Sequence, residues 1–417
     1  MILLFDLTNS DTAHVPVNSG LGQAISAAFP LQQVRIHAEA GHIEALRQNP
    51  GLGACTNVSF TAIAFSPLQR WKTQLVSARR FWHELRVMRQ ALRAAPVEPH
   101  LIVLASATPT AICAALLLAR LAPSPVAVQV GLHGNLNEVA GWRPRNPLRR
   151  RYDLRSMLSR PRSNLRLLVF EPCIRDALGR LLPTTSGRTD VLRHPVNLAE
   201  AAQQQPVPLA FPVRIAFAGM ATEAKGIRSF LEVARNCKAL YGDRVEFHIV
   251  GGRPANIPPE KFRDIAHEVE AGHISRAAFT ERLERMHFVM LPLRADYYNL
   301  SPSGGLMDAM GWAKPLIATR IPIVKNLFAE GGDIGYLCEG NHGLQAAVEA
   351  IVNDMDAGRH ARQTEALRRL RVQRAPTALA LAYRDMVRRG FPGLLDAAPR
   401  RAALLNLPST APAPRGR

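Results

Sequence analysis

The sequence predicts an α/β protein made of two Rossmann-like units, each a mostly parallel sheet wrapped by helices. Apolar runs of strand length alternate with helix patterns along the first half of the chain. The alternation stops at the Gln- and Pro-rich stretch Ala199–Pro212 and then restarts. At 417 residues the chain is too long for one ordinary core and suits two of about 150–200 residues each. An apolar content of 47% is that of a globular protein.

In the first half, strands are read at Ile2–Leu7, Gln33–His37, Val58–Phe65, Leu101–Ala105, Val126–Val130 and Leu165–Phe170. Helix patterns at Gly22–Ala28, Gln69–Ala95 and Pro109–Leu121 lie between them, and a short strand at Val191–Arg193 ends the half. Beyond the linker come strand Val213–Phe217, helix Gly226–Tyr241 and strand Val245–Val250. A polar helical stretch is expected from about Pro259 to Met286. Strand His287–Leu293, helix Leu306–Gly311, strand Leu316–Thr319 and helix Gly343–Met355 follow. The expected division is 1–205 and 206–375 for the two units, a closing helix at 376–398 that packs back on the first unit, and a disordered Pro/Ala/Arg-rich tail at 399–417.

Composition narrows the class. The five cysteines (Cys55, Cys113, Cys173, Cys237, Cys338) form no CxxC pair, which argues against a disulfide framework or zinc site and fits a reducing cytosol. The start, MILLFDLTNS, lacks a basic n-region and long h-region and reads as a strand. Leu101–Leu132 is broken by Pro109, Arg120, Pro123 and Pro125, so it is not a membrane span. The expected location is the cytoplasm.

Net charge is +19, which favours an anionic partner. Gly141–Arg166 holds nine arginines and one acid, Asp153. A second cluster in Trp71–Ala95 sets Lys72, Arg79, Arg80, Arg86, Arg89 and Arg93 beside Trp71, Phe81 and Trp82. Cationic heads with aromatic anchors suit docking on an acidic membrane surface; a core-facing helix is the plain alternative.

The most informative stretch is Met286–Thr319. Its Ser301-Pro302-Ser303-Gly304-Gly305 turn opens a helix, whose start leaves backbone N–H groups unpaired and carries partial positive charge, a cradle for phosphate. Asp308, one turn inside, can accept hydrogen bonds from sugar hydroxyls. Upstream, a strand runs into Gly219 and then Lys225-Gly226 at the start of a helix, where open α/β sheets bind ligands. Lys225 there neutralises a diphosphate. Gly251-Gly252, after another strand, lets a ligand approach the backbone or serves as an ordinary turn.

GMATEAKGI, FHIVGG and SPSGGLMDAMGWAKPLIAT, in this order, resemble the C-terminal half of retaining glycosyltransferases of the GT-B fold, in particular the family 4 group that builds bacterial polysaccharides. The likeness is close over 213–340 and only architectural before that. It implies two Rossmann-like domains facing across a cleft, a nucleoside diphosphate sugar donor, and Asp308 on the donor's ribose hydroxyls. It also implies that His133, after strand Val126–Val130, resembles the family's cleft-facing histidine. Asn18-Ser19-Gly20-Leu21-Gly22, before the predicted first helix, resembles the glycine loop that approaches the donor phosphates from the acceptor domain.

Two family positions differ. The first family glutamate falls at Leu300 and the family arginine at Met220, leaving Arg228, Arg253 or Arg294 to supply that charge. The expected site is therefore His133, Lys225 and Asp308 for catalysis. Gly20, Gly22, Gly219, Gly251, Gly252, Ser301, Ser303, Gly304 and Gly305 join Lys225 and Asp308 in donor binding. No metal or cofactor is expected. The implied activity is retaining transfer to a saccharide or polyprenyl-linked acceptor in exopolysaccharide or lipopolysaccharide synthesis, with peripheral contact at the inner face of the cytoplasmic membrane.

Rival readings are weaker. Gly20-x-Gly22 with Glu39 only caricatures a dinucleotide fingerprint, because Ile25 replaces the third glycine. Asp354-Met355-Asp356 spells a metal-binding DxD but sits at a polar helix end. A nucleic-acid-binding protein would use Gly141–Arg166, yet only Trp142 and Tyr152 there can stack on bases and no binding motif appears. A GT-B epimerase of a nucleotide sugar, which needs no acceptor, is the enzymatic alternative.

Overall fold

The structure is a computed structural model that describes residues 1–65, 76–96, 98–134, 136–141, 143–196 and 205–395. The first half runs β1 (Ile2–Asp6), α1 (Val15–Ala28), β2 (Val34–Ala38), α2 (Ala40–Arg47), α3 (Pro50–Gly53), β3 (Val58–Ala62), α4 (Ala78–Arg93) and β4 (His100–Ser106). It continues with α5 (Pro109–Leu121), β5 (Val126–Gly131), α6 (Leu136–Gly141), α7 (Pro147–Arg151), α8 (Leu154–Ser159), β6 (Leu165–Phe170), α9 (Pro172–Leu181) and β7 (Thr189–Leu192). Its seven strands form one parallel sheet in the order β3-β2-β1-β4-β5-β6-β7.

The second half holds β8 (Val213–Ala218), α10 (Ile227–Tyr241), β9 (Val245–Val250), α11 (Arg276–Glu284), β10 (Phe288–Leu291), α12 (Ala295–Tyr298) and α13 (Gly304–Gly311). Then come β11 (Leu316–Thr319), α14 (Pro322–Gly331), β12 (Gly335–Cys338), α15 (Gly340–Asp354), α16 (Ala357–Gln373) and α17 (Pro376–Gly390). Five parallel strands lie in the order β12-β11-β10-β8-β9.

Helices on both faces explain the unbroken apolar strands. In β1, Ile2 and Leu4 pack with Leu21 of α1 and Tyr383 of α17 on one face, while Leu3 and Phe5 join Met88, Ile112 and Met157 on the other. In β8, Ile215 and Phe217 face Phe230 and Val348, whereas Ala216 and Ala218 face Leu306 and Leu367.

Three expectations are corrected. The first helix begins at Val15, not Gly22, with Pro16 in its first turn, where a missing N–H costs nothing. The stretch Pro259–Met286 is mostly loop, helical only in a short 3-10 turn at Pro259–Phe262 and in α11, whose charged residues have little apolar face to bury. Of the expected helix Gln69–Ala95, α4 covers 78–93; 66–75, including Trp71 and Lys72, lie outside the described residues, as do Trp142 and the tail.

The halves meet at a charged hinge. Arg374, fully buried between α16 and α17, pairs with both carboxylate oxygens of Glu171 at the start of α9 and with Glu330 of α14 at 2.8 Å. Glu171 also accepts the His194 N–H at 3.1 Å, and the Val196 N–H donates to the Arg374 carbonyl at 2.9 Å. α17 then packs along α1, and its Tyr383 hydroxyl donates to Gln129 of β5 at 2.6 Å.

Candidate active site

In an open parallel sheet, ligands gather outside the carboxyl ends of the strands where the strand order reverses. In the second sheet that point lies between β8 and β10. β8 runs into Gly219, whose φ of +99° suits glycine, and a Cβ built there would stand 3.2 Å from Lys225 Nζ. The half-buried Lys225 ammonium therefore lies over the Gly219 backbone. Burial lowers its pKa, and Asp308 partly offsets the shift.

β10 leads through Pro292–Ser303 into α13. The Ser303 hydroxyl caps this helix by accepting the Leu306 N–H at 3.3 Å, and no acid occupies the first turn. Gly305 abuts the end of β8: a Cβ there would be 2.8 Å from the Ala218 carbonyl oxygen. At Gly304 a Cβ would meet nothing within 4 Å, so this side of the helix start is open. Ser301 and Ser303 are buried beneath it. Lys225, Gly219 and the positive end of α13 thus converge on one crevice, with Asp308 one turn along.

Asp308 is already engaged: its Oδ1 accepts from Arg276 Nη1 at 2.9 Å. Arg276 opens α11, 32 residues away in sequence and in no motif, so only the fold could reveal it. The three arginines left open to supply the charge missing at Met220 each have partners. Arg228 pairs with Glu223 at 3.2 Å and Arg294 with Asp296 at 2.6 Å, while Arg253 donates to the carbonyls of Val269 and Ile257. Leu300 is buried in the apolar cluster of the first domain. Beside it, Asn137 donates its amide to the Tyr297 carbonyl at 2.8 Å, so this edge of the cleft is bridged.

Four glycines are placed differently from expectation. Gly20 and Gly22 lie inside α1, not in a loop before it; a Cβ on them would stand 2.7 Å from Pro195 and 3.0 Å from Leu52. They serve close packing, and with them the dinucleotide fingerprint disappears. Glu39 caps α2 instead, accepting the His42 N–H at 3.0 Å. Gly251 and Gly252 have their open sides filled by the carbonyls of Gly219 and Gly272, at 2.2 and 1.7 Å from ideal Cβ positions. Their side-chain directions are closed by backbone. Asp356 of the DxD triplet caps α16 at the Arg359 N–H, 2.8 Å away, and Asp354 is exposed. Lys314 is buried, donating to the carbonyls of Glu284 and Met286, with its pKa lowered to about 7 by burial.

From the first domain, β5 delivers His133 to the cleft. Its ring meets His14 edge-on at 4.7 Å between centroids and lies 5.6 Å from both Phe170 and His194. Burial, then the neighbouring histidines, push its pKa well below the ordinary value, and burial brings His194 to about 4. Both rings are neutral near pH 7. His133 Nδ1 has no hydrogen-bond partner among the described residues. Sequence patterns did not single out His14.

The two-sheet architecture with its inter-domain crevice is that of a GT-B glycosyltransferase. A glycosyltransferase from Rickettsia africae is 11% identical and superposes with a TM-score of 0.66 over 94% of this chain and 99% of that one. Anabaena HepE, crystallised with UDP and glucose, is 13% identical with a TM-score of 0.63, covering 93% of this chain and 100% of that one. A TarM variant from S. aureus, in complex with fondaparinux, α-GlcNAc-glycerol and UDP, is 9% identical with a TM-score of 0.61 over 95% of this chain and 100% of that one. Residues 212–355 match the family described as "Glycosyl transferases group 1". That match lies within the second half of the chain, and the solved structures share the fold. No curated protein matches the chain in sequence.

Proposed function

We propose that the protein transfers a sugar from a nucleoside diphosphate sugar to a saccharide or lipid-linked saccharide acceptor in cell-surface polysaccharide synthesis. The observation that carries this reading is the meeting of Lys225, Gly219 and the open start of α13 at the β8/β10 switch point. An ammonium and a helix N-terminus facing one crevice suit a diphosphate. HepE holding UDP-glucose within the same fold supports it.

In this reading Ser301, Ser303, Gly304, Gly305 and Lys225 stabilise the charge that grows on the leaving diphosphate, with no metal called upon. Asp308 leaves Arg276 to accept the ribose hydroxyls. His133, a neutral imidazole, faces the transferred sugar, and retention of configuration follows the family resemblance. The acceptor hydroxyl comes from the first domain's side.

A peripheral membrane role draws on a juxtaposition made by the fold. α5 packs between α4 and α8, and its Cys113 lies within the electrostatic reach of Arg160, Arg162 and Glu84. The two arginine clusters thus sit on helices grouped around α5, whose exposed faces carry Arg79, Arg86, Arg89, Arg93, Arg149, Arg150 and Arg151. Trp82, Leu148 and Tyr152 stand out among them. Arg80 does not belong to those faces: it is buried and pairs with Glu84 at 3.6 Å. No helix among the described residues is long and apolar enough to cross a membrane.

A thermal-shift screen against UDP, GDP and ADP sugars tests the donor reading. One nucleotide is expected to raise the melting temperature; no shift with any of them sinks the proposal.

A further inference from the structure

The loop from Leu7 to His14 joins β1 to α1 on the first domain's side of the cleft, and it is pinned from beneath. The Asp6 carboxylate accepts the N–H groups of Thr8 and Asn9 at 3.1 and 3.0 Å, the Asn9 amide at 2.8 Å and the Asn18 amide. His42 Nε2 lies 3.4 Å from the same carboxylate, and its Nδ1 is 2.8 Å from the Asp11 carbonyl oxygen. Both partners are buried. Burial alone would raise the Asp6 pKa and lower that of His42; their mutual contact reverses both shifts, so the pair is ionised.

Held this way, the loop places two residues with side chains at positive φ, Asp11 at +50° and His14 at +59°, a conformation uncommon outside glycine. His14 occupies the N-cap position of α1 but makes no side-chain capping bond. His14 is exposed as a residue, while its ring packs edge-on against His133 and has Cε1 3.7 Å from an ideal Cβ on Gly134.

We propose that His14 is a further donor-binding residue, its imidazole contacting the nucleoside diphosphate from the first domain while Lys225 contacts it from the second. This supplies, across the cleft, the cationic contact that position 220 lacks with Met220. It rests on the donor-site reading above.

The groups facing His14 are Asp6 from β1, His42 from α2, His133 after β5, His194 after β7 and Lys225 from the second domain. Burial lowers the His14 pKa; Asp6 opposes this, while His42 and Lys225 add to it. The ligand-free ring is therefore neutral near pH 7. A diphosphate reverses that field and draws a proton onto the ring. Affinity should then rise as pH falls, and the gain disappears as pH climbs through the raised pKa of the bound state.

Titration calorimetry of the full chain with UDP, GDP, ADP and their monophosphates tests this, in buffers of different ionisation enthalpy from pH 5.5 to 8. Wild type should take up a proton on binding its diphosphate. His14→Gln, melting like wild type, should lose that uptake and about tenfold in diphosphate affinity, with monophosphate affinity nearly unchanged. The ligand's own titration cancels between the two proteins. If wild type shows no proton uptake beyond the ligand's own, or the variant binds diphosphate as wild type does, the His14 assignment is overturned while the donor site stands. If wild type binds no nucleoside diphosphate, the donor-site reading falls and His14 falls with it.

Discussion

Replacing Arg374 with Met should destabilise the protein more than any substitution on the cleft surface. Arg374 is wholly buried and holds two carboxylates. Glu330 is partly exposed and keeps Arg193 at 3.1 Å, so its loss is small. Glu171 has a side chain only 2% exposed, and among the described residues its carboxylate would keep only the His194 N–H. Leaving one such carboxylate buried and unpaired costs about 3–5 kcal/mol. At about 2–4 °C per kcal/mol for a cooperative unit of domain size, the melting temperature falls by about 6–20 °C. Differential scanning calorimetry reads this directly. The double variant Glu171→Gln, Arg374→Met removes the orphaned charge and should recover much of the loss. A single variant that melts within about 2 °C of wild type, under about 1 kcal/mol, would refute the view that this ion cluster holds the hinge.

Lys225→Ala and Ser303→Ala should each slow sugar transfer by about tenfold or more, the first by losing a charge-assisted contact to the diphosphate and the second by losing the cap that sets the start of α13; normal rates in both would discard the donor-site assignment. The Asp6–His42 pair stabilises most between their ordinary pKa values of 3.8 and 6.5. Melting temperatures of wild type and His42→Gln should therefore converge as pH rises through the raised His42 pKa, or falls through the lowered Asp6 pKa. His194 has the opposite sign. Buried neutral with a pKa near 4, it makes stability fall as pH drops from 6.5, a slope that His194→Gln should reduce. Co-sedimentation with anionic liposomes at low salt should be strong for wild type and lost when Arg149, Arg150 and Arg151 become Glu; equal pelleting of both would remove this face from membrane contact.

Much of the second domain was readable because its signals are local. A capping serine and two glycines fix the start of α13 within three residues, and Lys225 follows β8 by only seven. The polar stretch before Met286 misled for the same reason. Its charges permit a helix but supply no apolar stripe, and most of it settles as loop. At Gly20 and Gly22 the glycine pattern suggested a loop, whereas Pro195 and Leu52, remote in sequence, required the missing side chains inside a helix.

By itself the sequence determined two parallel α/β units and the residue types that face a diphosphate, because strand period, capping chemistry and glycine placement act over a few residues. Only the tertiary structure decided which charges meet. It set Arg276 on Asp308, drew Arg80 inward, buried Leu300 against the first domain, and brought His14 and His133 to the cleft that Lys225 faces. Those outcomes depend on side chains up to several hundred residues apart arriving at the same few ångströms. Burial and Coulomb energies are set by that final distance, and no local pattern encodes it.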